Sequence, residues 1–293
     1  MGVVINTNIP SITASRILSN NRQDLETAME RLSSGKRINS AKDDAAGMAV
    51  AAKMRADIRS LNQSVRNTND AISLVNTYDG AAAEIEQILI RMRELAVQAK
   101  TGTYANEDLT NANYEYTALK SEITRIAAVT TFNRLSLAQG DSAALADRAS
   151  GATGSVDKSF TFYVGSDVAR SGNAITFDAK ALDLNLAVAS NTLDTITTAT
   201  SAGTAITQLD LAISELGANR AQAGAMVNRL EHTVANLMNV SQRLQEAVSG
   251  IEDADYAAES AALARGMVLA QAGTAMLAQA NQAPQFVLTL LRG

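Results

Sequence analysis

Few side chains in this sequence have the chemistry that catalysis or metal binding needs. The chain has no cysteine and one histidine, His232, which excludes disulfides, thiolate metal sites and thiol catalysis. No second histidine or thiol is present to act with His232, so we interpret it as a solvated helix residue. A zinc peptidase needs two histidines on one helix, and this chain cannot supply them. We therefore predict no enzymatic activity, no metal site and no cofactor.

Two acidic groups are the remaining candidates for a cation site. One is the pair Asp43 and Asp44, and the other combines Glu252, Asp253 and Asp255. Both groups lie near interruptions of the helical pattern described below. Carboxylates favour the positive end of a helix dipole. We therefore interpret both groups as charges at helix ends and not as metal ligands.

A long N-terminal helix is predicted by the spacing of apolar side chains. Pro10 and Pro284 are the only prolines, so the interior lacks the residue that most reliably breaks helices. A stripe with spacings of three and four starts after Ser40 and continues past Asp79 and Gly80, where we expect a local irregularity and not an end. Before Asp79 its members are Val50, Met54, Ile58, Leu61, Val65, Ile72 and Val75, with Thr68 filling one slot, and after Gly80 they are Ile85, Ile88, Met92, Leu95 and Ala99.

The segment KTGTYANEDLT then predicts a turn, and a shorter antiparallel return helix follows. The apolar positions of that helix are Tyr116, Leu119, Ile123 and Ile126.

The C-terminal half carries a longer apolar seam. Strict three/four spacing from Ile206 to Ile251 is interrupted only by Arg220 and Ser241, which is typical of a coiled coil. As one helix this segment would span about 69 Å, whereas a compact chain of this length is about 50 Å across. The sequence therefore predicts a rod.

The segment 140–205 between the helical regions is rich in Gly, Ser, Thr, Asn and Asp. Alternating apolar residues within it predict a β-hairpin; they are Phe160, Phe162, Val164, Ile175 and Phe177. The predicted fold is therefore mainly α: a long antiparallel helical coiled-coil rod with a small β-hairpin region and with its N- and C-terminal helices paired.

The two ends of the chain are almost uncharged. Residues 1–15 carry no charge, and residues 266–293 carry only Arg292. Alone, such ends bury too little apolar surface to offset the entropy of ordering, so we expect them to fold when many copies bury them together. The predicted polymerisation residues are Ile5, Ile9, Leu18, Leu25, Met29, Leu32, Leu263, Met267, Leu277, Phe286, Val287, Leu290 and Leu291.

Charge and hydropathy exclude other classes of partner. The net charge of −5 argues against nucleic-acid binding. No uninterrupted apolar run of about 18 residues occurs, so no membrane span is predicted. The N-terminus lacks the basic flank and apolar stretch of a secretory signal, so we expect any export to use another route.

Several segments resemble the bacterial flagellin family. At the N-terminal end they are VINTN (4–8), ERLSSGKRINSAKDDAAG (30–47), RNTNDAISLV (66–75) and RELAVQA (93–99). At the C-terminal end they are GANRAQAGAMVNRLE (217–231), IEDADYAAES (251–260) and QANQAPQFVLTLLRG (279–293). The resemblance covers about 1–140 and 205–293.

This resemblance implies a structural subunit that self-assembles into the filament used for swimming, secreted to the extracellular flagellum. It implies an inner domain of 1–44 and 256–293 and a helical spoke domain of 45–255, in which 140–205 forms the β-hairpin and loop portion. The short middle segment makes the chain a minimal member without large outer variable domains. The resemblance also implies several partners: further copies of the chain, the flagellar export apparatus, the filament cap and the hook-junction proteins.

For two of the implied partners, the resemblance also indicates the contact residues. A dedicated export chaperone would hold the C-terminal tail, whose apolar face contains Leu263, Met267, Leu277 and Leu290. A vertebrate Toll-like receptor would contact an exposed strip matching Arg91, Leu95 and Glu115. The chain departs from many recognised members at Ile90, where they carry a polar glutamine.

Three other classes of protein fit the sequence less well than the filament subunit. A hook–filament junction protein shares helical ends but does not match the QANQAPQFVLTLLRG ending. A secreted enzyme displayed on a filament would need a catalytic site and the room for one. A cytoplasmic coiled-coil adaptor would leave the uncharged ends unexplained.

Overall fold

The computed structural model describes residues 8–137, 158–165, 172–180, 182 and 195–292, with backbone alone after Gln282. The chain divides into two compact units. We call residues 1–58 and 242–293 the terminal unit, and residues 59–241 the central unit.

Helices dominate the described residues, and the predicted mainly-α class is confirmed. The helices are α1 (Ile9–Ser34), α2 (Ala45–Lys100), α3 (Asn106–Val129), α4 (Ala199–Glu252) and α5 (Tyr256–Arg292). The strands are β1 (Thr131–Phe132), β2 (Leu135–Ser136), β3 (Lys158–Tyr163) and β4 (Ala174–Ala179). As predicted, α2 continues without an end through Asp79 and Gly80.

The predicted seam of α4 is confirmed by burial, since every seam position from Ile206 to Ile251 is buried or half-buried. In the central unit α4 runs antiparallel to α2, because contacts that ascend along α2 descend along α4. Asn62 contacts Ser241, Asp79 contacts Arg220, and Arg93 contacts Asp210. The two polar interruptions of the seam, Arg220 and Ser241, are therefore both paired across it.

The core of the central unit combines α2, α3, α4 and the β3–β4 hairpin. Tyr78 of α2 is 1% exposed, and its ring meets the ring of Phe177 edge-on, with centroids 5.6 Å apart. The Tyr78 hydroxyl donates a hydrogen bond to the carbonyl oxygen of Lys180 at 2.9 Å. Tyr78 therefore joins the hairpin to α2 through both its ring and its hydroxyl.

The predicted β-hairpin is confirmed by β3 and β4. They pair antiparallel, with Phe160 opposite Phe177 and Phe162 opposite Ile175. A smaller hairpin, β1–β2, was not predicted from the sequence. Its turn residues Asn133 and Arg134 have φ of 49° and 64°, which matches the tight primed turn of two-residue hairpins.

In the terminal unit α1 packs antiparallel on α5, so the predicted pairing of N- and C-terminal helices is confirmed. Small residues allow the close approach. A β-carbon built on Gly273 would lie 3.2 Å from the Leu18 side chain, and one on Gly266 would lie 3.5 Å from Leu25. Side chains also bond across the pair: the Asn21 amide donates to the Gly266 carbonyl at 2.9 Å.

The prediction of a buried apolar stripe is wrong at one residue. Val50 is 46% exposed, whereas its neighbour Ala51 is fully buried. Met54 and Ile58, the next members of the stripe, are half-buried, so the prediction fails only at its first position, where Ala51 is buried instead.

Candidate assembly surface on the terminal helices

Local signals fix where α1 and α5 begin and end. The Asn8 side chain caps α1 by accepting a hydrogen bond from the Ser11 backbone N–H at 3.1 Å. Gly35 ends α1 in the left-handed conformation, with φ of 69°, which glycine adopts at no steric cost. At the start of α5 the Asp255 carboxylate accepts from the backbone N–H groups of Ala257 and Ala258.

The segments that follow the ends of α1 and α4 (the two helix breaks) are hydrogen-bonded to each other within the terminal unit. Backbone bonds connect them: the Arg37 N–H donates to the Glu252 carbonyl at 2.6 Å, and the Ala254 N–H donates to the Gly35 carbonyl at 3.0 Å. The Glu252 side chain is only 6% exposed and lies 3.0 Å from the Arg55 guanidinium. The breaks therefore form a bonded joint and not two independent loops.

Beyond this joint, large apolar side chains of α1 and α5 lie in solvent. Their exposed fractions range from 53% to 67%. We call this set the terminal apolar surface: Ile9, Ile12, Ile17, Met29, Tyr256, Met267, Val268, Leu269 and Met276. Four of these side chains adjoin one groove, described next, and contiguous exposed apolar surface is typical of an interaction site.

An open groove of about 560 Å³ runs between α1 and α5 within this surface. Ile9, Ile17, Leu269 and Met276 line it with large apolar side chains. The polar side chains that line the groove donate hydrogen bonds to backbone carbonyl groups; the Thr13 hydroxyl, for example, donates to the Ile9 carbonyl at 3.0 Å. The groove therefore offers apolar contact almost alone.

The predicted polymerisation residues divide into two sets. Leu18 is buried, and Leu25, Leu32, Leu263 and Leu277 are half-buried, so these side chains hold α1 and α5 together. Ile9, Met29 and Met267 belong to the terminal apolar surface. Ile5 lies outside the described residues, as do the side chains of Phe286, Val287, Leu290 and Leu291.

Sequence reasoning missed several exposed members of the surface, namely Ile12, Ile17, Tyr256, Val268, Leu269 and Met276. For Ile12, Val268, Leu269 and Met276 the sequence contained a signal, because these apolar residues lie in the almost uncharged ends yet outside the helical seam. An apolar residue off the seam of an amphipathic helix points away from its partner.

The stretch Tyr256–Gln282 is long and apolar enough to cross a membrane by length and composition; 18 consecutive residues within it have a mean hydropathy of 1.2, and only 6% of those residues are buried. The prediction of no membrane span depended on uninterrupted apolar runs, and averaging over a window gives this different result. By composition alone, α5 fits either a lipid or a protein environment.

The acidic groups serve helix ends and turns, as interpreted from the sequence. The Asp43 carboxylate accepts from the backbone N–H groups of Asn39 and Ser40, and chiefly the Ser40 bond lowers the pKa of Asp43. Asp44 accepts from the Gly47 N–H at 2.8 Å, in the first turn of α2. Within the described ranges, no cluster of three or more potential ligands could hold a metal ion.

The predicted receptor strip is only partly exposed. The Arg91 guanidinium bonds to Glu94 and to Glu115 of α3, each at 3.0 Å, and these bonds, the Glu94 bond foremost, raise the pKa of Arg91. Leu95 is 3% exposed, so the expectation that it lies in an exposed strip is wrong. It lines a pocket of about 460 Å³ below Arg91 and Glu115.

The comparisons with known proteins match both ends of the chain. The family profile described as bacterial flagellin N-terminal helical region matches residues 5–143. The profile described as bacterial flagellin C-terminal helical region matches residues 204–291. The short segment between the two matches leaves no large outer domain, as predicted for a minimal member.

Full-length relatives agree with these profiles. A flagellin of Halalkalibacterium halodurans is 43% identical, over 99% of this chain and all of that protein. A flagellar filament 33 kDa core protein of Treponema phagedenis is 39% identical, again over 99% of this chain and all of that protein.

Among solved structures, one described as a flagellar hook-associated protein from Vibrio parahaemolyticus has a TM-score of 0.55. It covers 72% of this chain and all of its own, at 12% identity, and so reflects the fold alone. With profiles over both helical ends and relatives aligned from end to end, the chain belongs to the bacterial flagellin family.

Proposed function

We propose that this chain is a non-enzymatic structural subunit that polymerises into a flagellar filament outside the cell. The terminal apolar surface carries the proposal, because α1 and α5 cover only one face of each other and leave the rest in water. Burying apolar surface contributes about 25 cal/mol per Å². A helical polymer can cover these faces with the same faces of neighbouring copies.

A protein cover is favoured over a lipid cover by the polar groups of α5. Gln271, Gln279, Asn281 and Gln282 are all exposed amides on this helix. Unpaired amides are costly in hydrocarbon, whereas neighbouring helices can pair them. The Ser11 hydroxyl already pairs with the Asn281 side chain at 2.7 Å.

The test is seeded elongation. Purified monomer mixed with fragments of preformed filament should extend them into long filaments in the electron microscope. Vesicles of neutral phospholipid offered instead of seeds should not retain the protein. Vesicle insertion without seed elongation would replace this proposal with a membrane role.

The same proposal divides the chain into an inner domain of 1–44 and 256–293 and a spoke domain of 45–255. The joint between the two helix breaks supports this division, because it holds the chain where α1 ends and α5 begins. Motor torque would pass through packed helices, with cap and hook-junction proteins contacting the two ends of the polymer.

We also infer that an export chaperone of the flagellar secretion apparatus holds the C-terminal tail before export. Met267 is 53% exposed and offers an apolar contact there, the kind that helix-in-groove binding uses. Deleting residues 254–293 should abolish copurification with the chaperone, whereas deleting 1–35 should preserve it. Unchanged binding after the C-terminal deletion contradicts the inference.

Recognition by a Toll-like receptor is a further proposal, supported by the exposed Arg91–Glu115 pair, whose side chains are 52% and 47% exposed. Arginine is a frequent hot-spot residue at interfaces. We expect Arg91→Ala to lower monomer potency on receptor-bearing cells about thirtyfold, the equivalent of about 2 kcal/mol.

Arg125→Ala is the matched control for that measurement. Arg125 also lies in an exposed arginine–glutamate pair, with Glu122 of the same helix, so the loss of one surface charge is equal in both variants. Equal potency of the two variants would remove the support for Arg91.

A further inference from the structure

Exposed methionines are concentrated on the terminal helices. Among the described residues, those more than half exposed are Met29, Met238, Met267 and Met276, and all but Met238 belong to α1 or α5. Met276 has the largest exposed fraction, 61%, and lines the groove between the two helices. Met92, by contrast, is fully buried in the central unit.

We propose that Met276 is an oxidation site through which peroxides control assembly; the proposal rests on the proposed filament function. Hydrogen peroxide transfers one oxygen to the Met276 thioether. Its O–O bond breaks, an S–O bond forms, sulfur loses two electrons to the peroxide, and water leaves. The product is the sulfoxide, a polar side chain in place of an apolar one.

The consequence differs between monomer and polymer. In the monomer the sulfoxide oxygen stays in water and bonds to it, so oxidation leaves the fold intact. In the polymer the groove is covered, and a sulfoxide there needs a hydrogen-bond donor. The polar lining side chains have few donors left, since Thr13 uses its one hydroxyl hydrogen on the Ile9 carbonyl and Asn21 uses one of its two amide hydrogens on the Gly266 carbonyl. Oxidation therefore opposes assembly without unfolding the subunit.

The experiment treats monomer with dilute hydrogen peroxide, locates sulfoxides by tandem mass spectrometry and measures elongation of untreated seeds. Met276 should be oxidised well before Met92. Elongation should slow about tenfold with unchanged circular dichroism, and methionine sulfoxide reductase with dithiothreitol should restore it.

Two variants assign the effect to one residue. Met276→Leu keeps the volume and cannot be oxidised at residue 276, so peroxide should slow its elongation less, relative to its own untreated rate, than it slows the unaltered chain. Met238→Leu removes an equally exposed methionine of α4 and should remain as peroxide-sensitive as the unaltered chain. Normal elongation of chains carrying the Met276 sulfoxide, or undiminished sensitivity of Met276→Leu, would overturn the proposal.

Untreated monomer provides the separate test of the underlying function. If untreated monomer elongates seeds and oxidised monomer does so equally well, only the oxidation site is wrong. If untreated monomer fails as well, both proposals are wrong.

Discussion

Replacing Leu269 with glutamate is expected to abolish elongation of filament seeds while the monomer keeps its helix content. Leu269 is 53% exposed, so in the monomer the new carboxylate stays in water. In the polymer it would be enclosed among apolar side chains, and pairing with Arg265, four residues earlier on α5, would enclose that cation as well. Enclosing the carboxylate, alone or with that cation, costs several kcal/mol, and about 3 kcal/mol already raises the critical monomer concentration more than a hundredfold.

Leu269→Met is the control for this change, because it conserves volume and polarity. It should elongate within a few-fold of the unaltered chain. Circular dichroism of both variants at concentrations below assembly separates loss of assembly from loss of folding. Normal elongation by Leu269→Glu would show that the terminal apolar surface is not the assembly surface.

Tyr78→Ala is expected to produce the largest loss of stability in the central unit. The change removes a ring that is 1% exposed and packed edge-on against Phe177, and it leaves the Lys180 carbonyl without this hydroxyl donor. Truncating a buried aromatic residue costs about 3–5 kcal/mol. Urea unfolding should show this loss, and amide exchange should rise first in β3 and β4.

Two comparisons divide that loss into its parts. Tyr78→Phe removes only the hydroxyl and should cost about 1 kcal/mol. Tyr114→Ala, at a tyrosine that is 71% exposed on α3, should stay within about 0.5 kcal/mol. A Tyr78→Ala variant no less stable than Tyr114→Ala would refute the anchoring role of Tyr78.

Periodicity predicted the helices well because each long helix has one continuous buried face. The α4 seam extends across several heptads, and burial follows it throughout, even at Arg220 and Ser241, where polar partners lie on α2. Alternation predicted β3–β4 for the same reason, since one face of that hairpin covers the core. Both patterns indicate which face of a helix or strand is buried against the rest of the protein.

Periodicity failed where large apolar residues do not mark the buried face. At the start of α2 the buried residue is Ala51 and not Val50, because small side chains fit a close contact. Leu95 belongs to the predicted stripe and is buried accordingly, so the expected exposed strip conflicted with the stripe itself. The β1–β2 hairpin has only two residues in each strand, too few for any alternation to appear.

The sequence predicted that the candidate assembly surface is apolar and lies at the ends of the chain, but it did not predict all of the residues that form the surface. The absence of charge from both ends indicated that they meet apolar partners. Which of their residues face one another and which face outward depends on the pairing of α1 with α5, set by contacts such as Gly273 against Leu18. That pairing joins residues far apart in the sequence, and one-dimensional spacing does not contain it.

The paired interruptions of the α4 seam also determine how α2 and α4 align lengthwise. Sliding one helix along the other by a heptad, about 10.5 Å, would match apolar rows almost as well as before. It would also carry Arg220 away from Asp79 and Glu86, both of which accept hydrogen bonds from it, and Ser241 away from Asn62. Only one alignment satisfies these polar groups, so the central unit has the same length in every copy of the chain, as any regular lattice of identical parts requires.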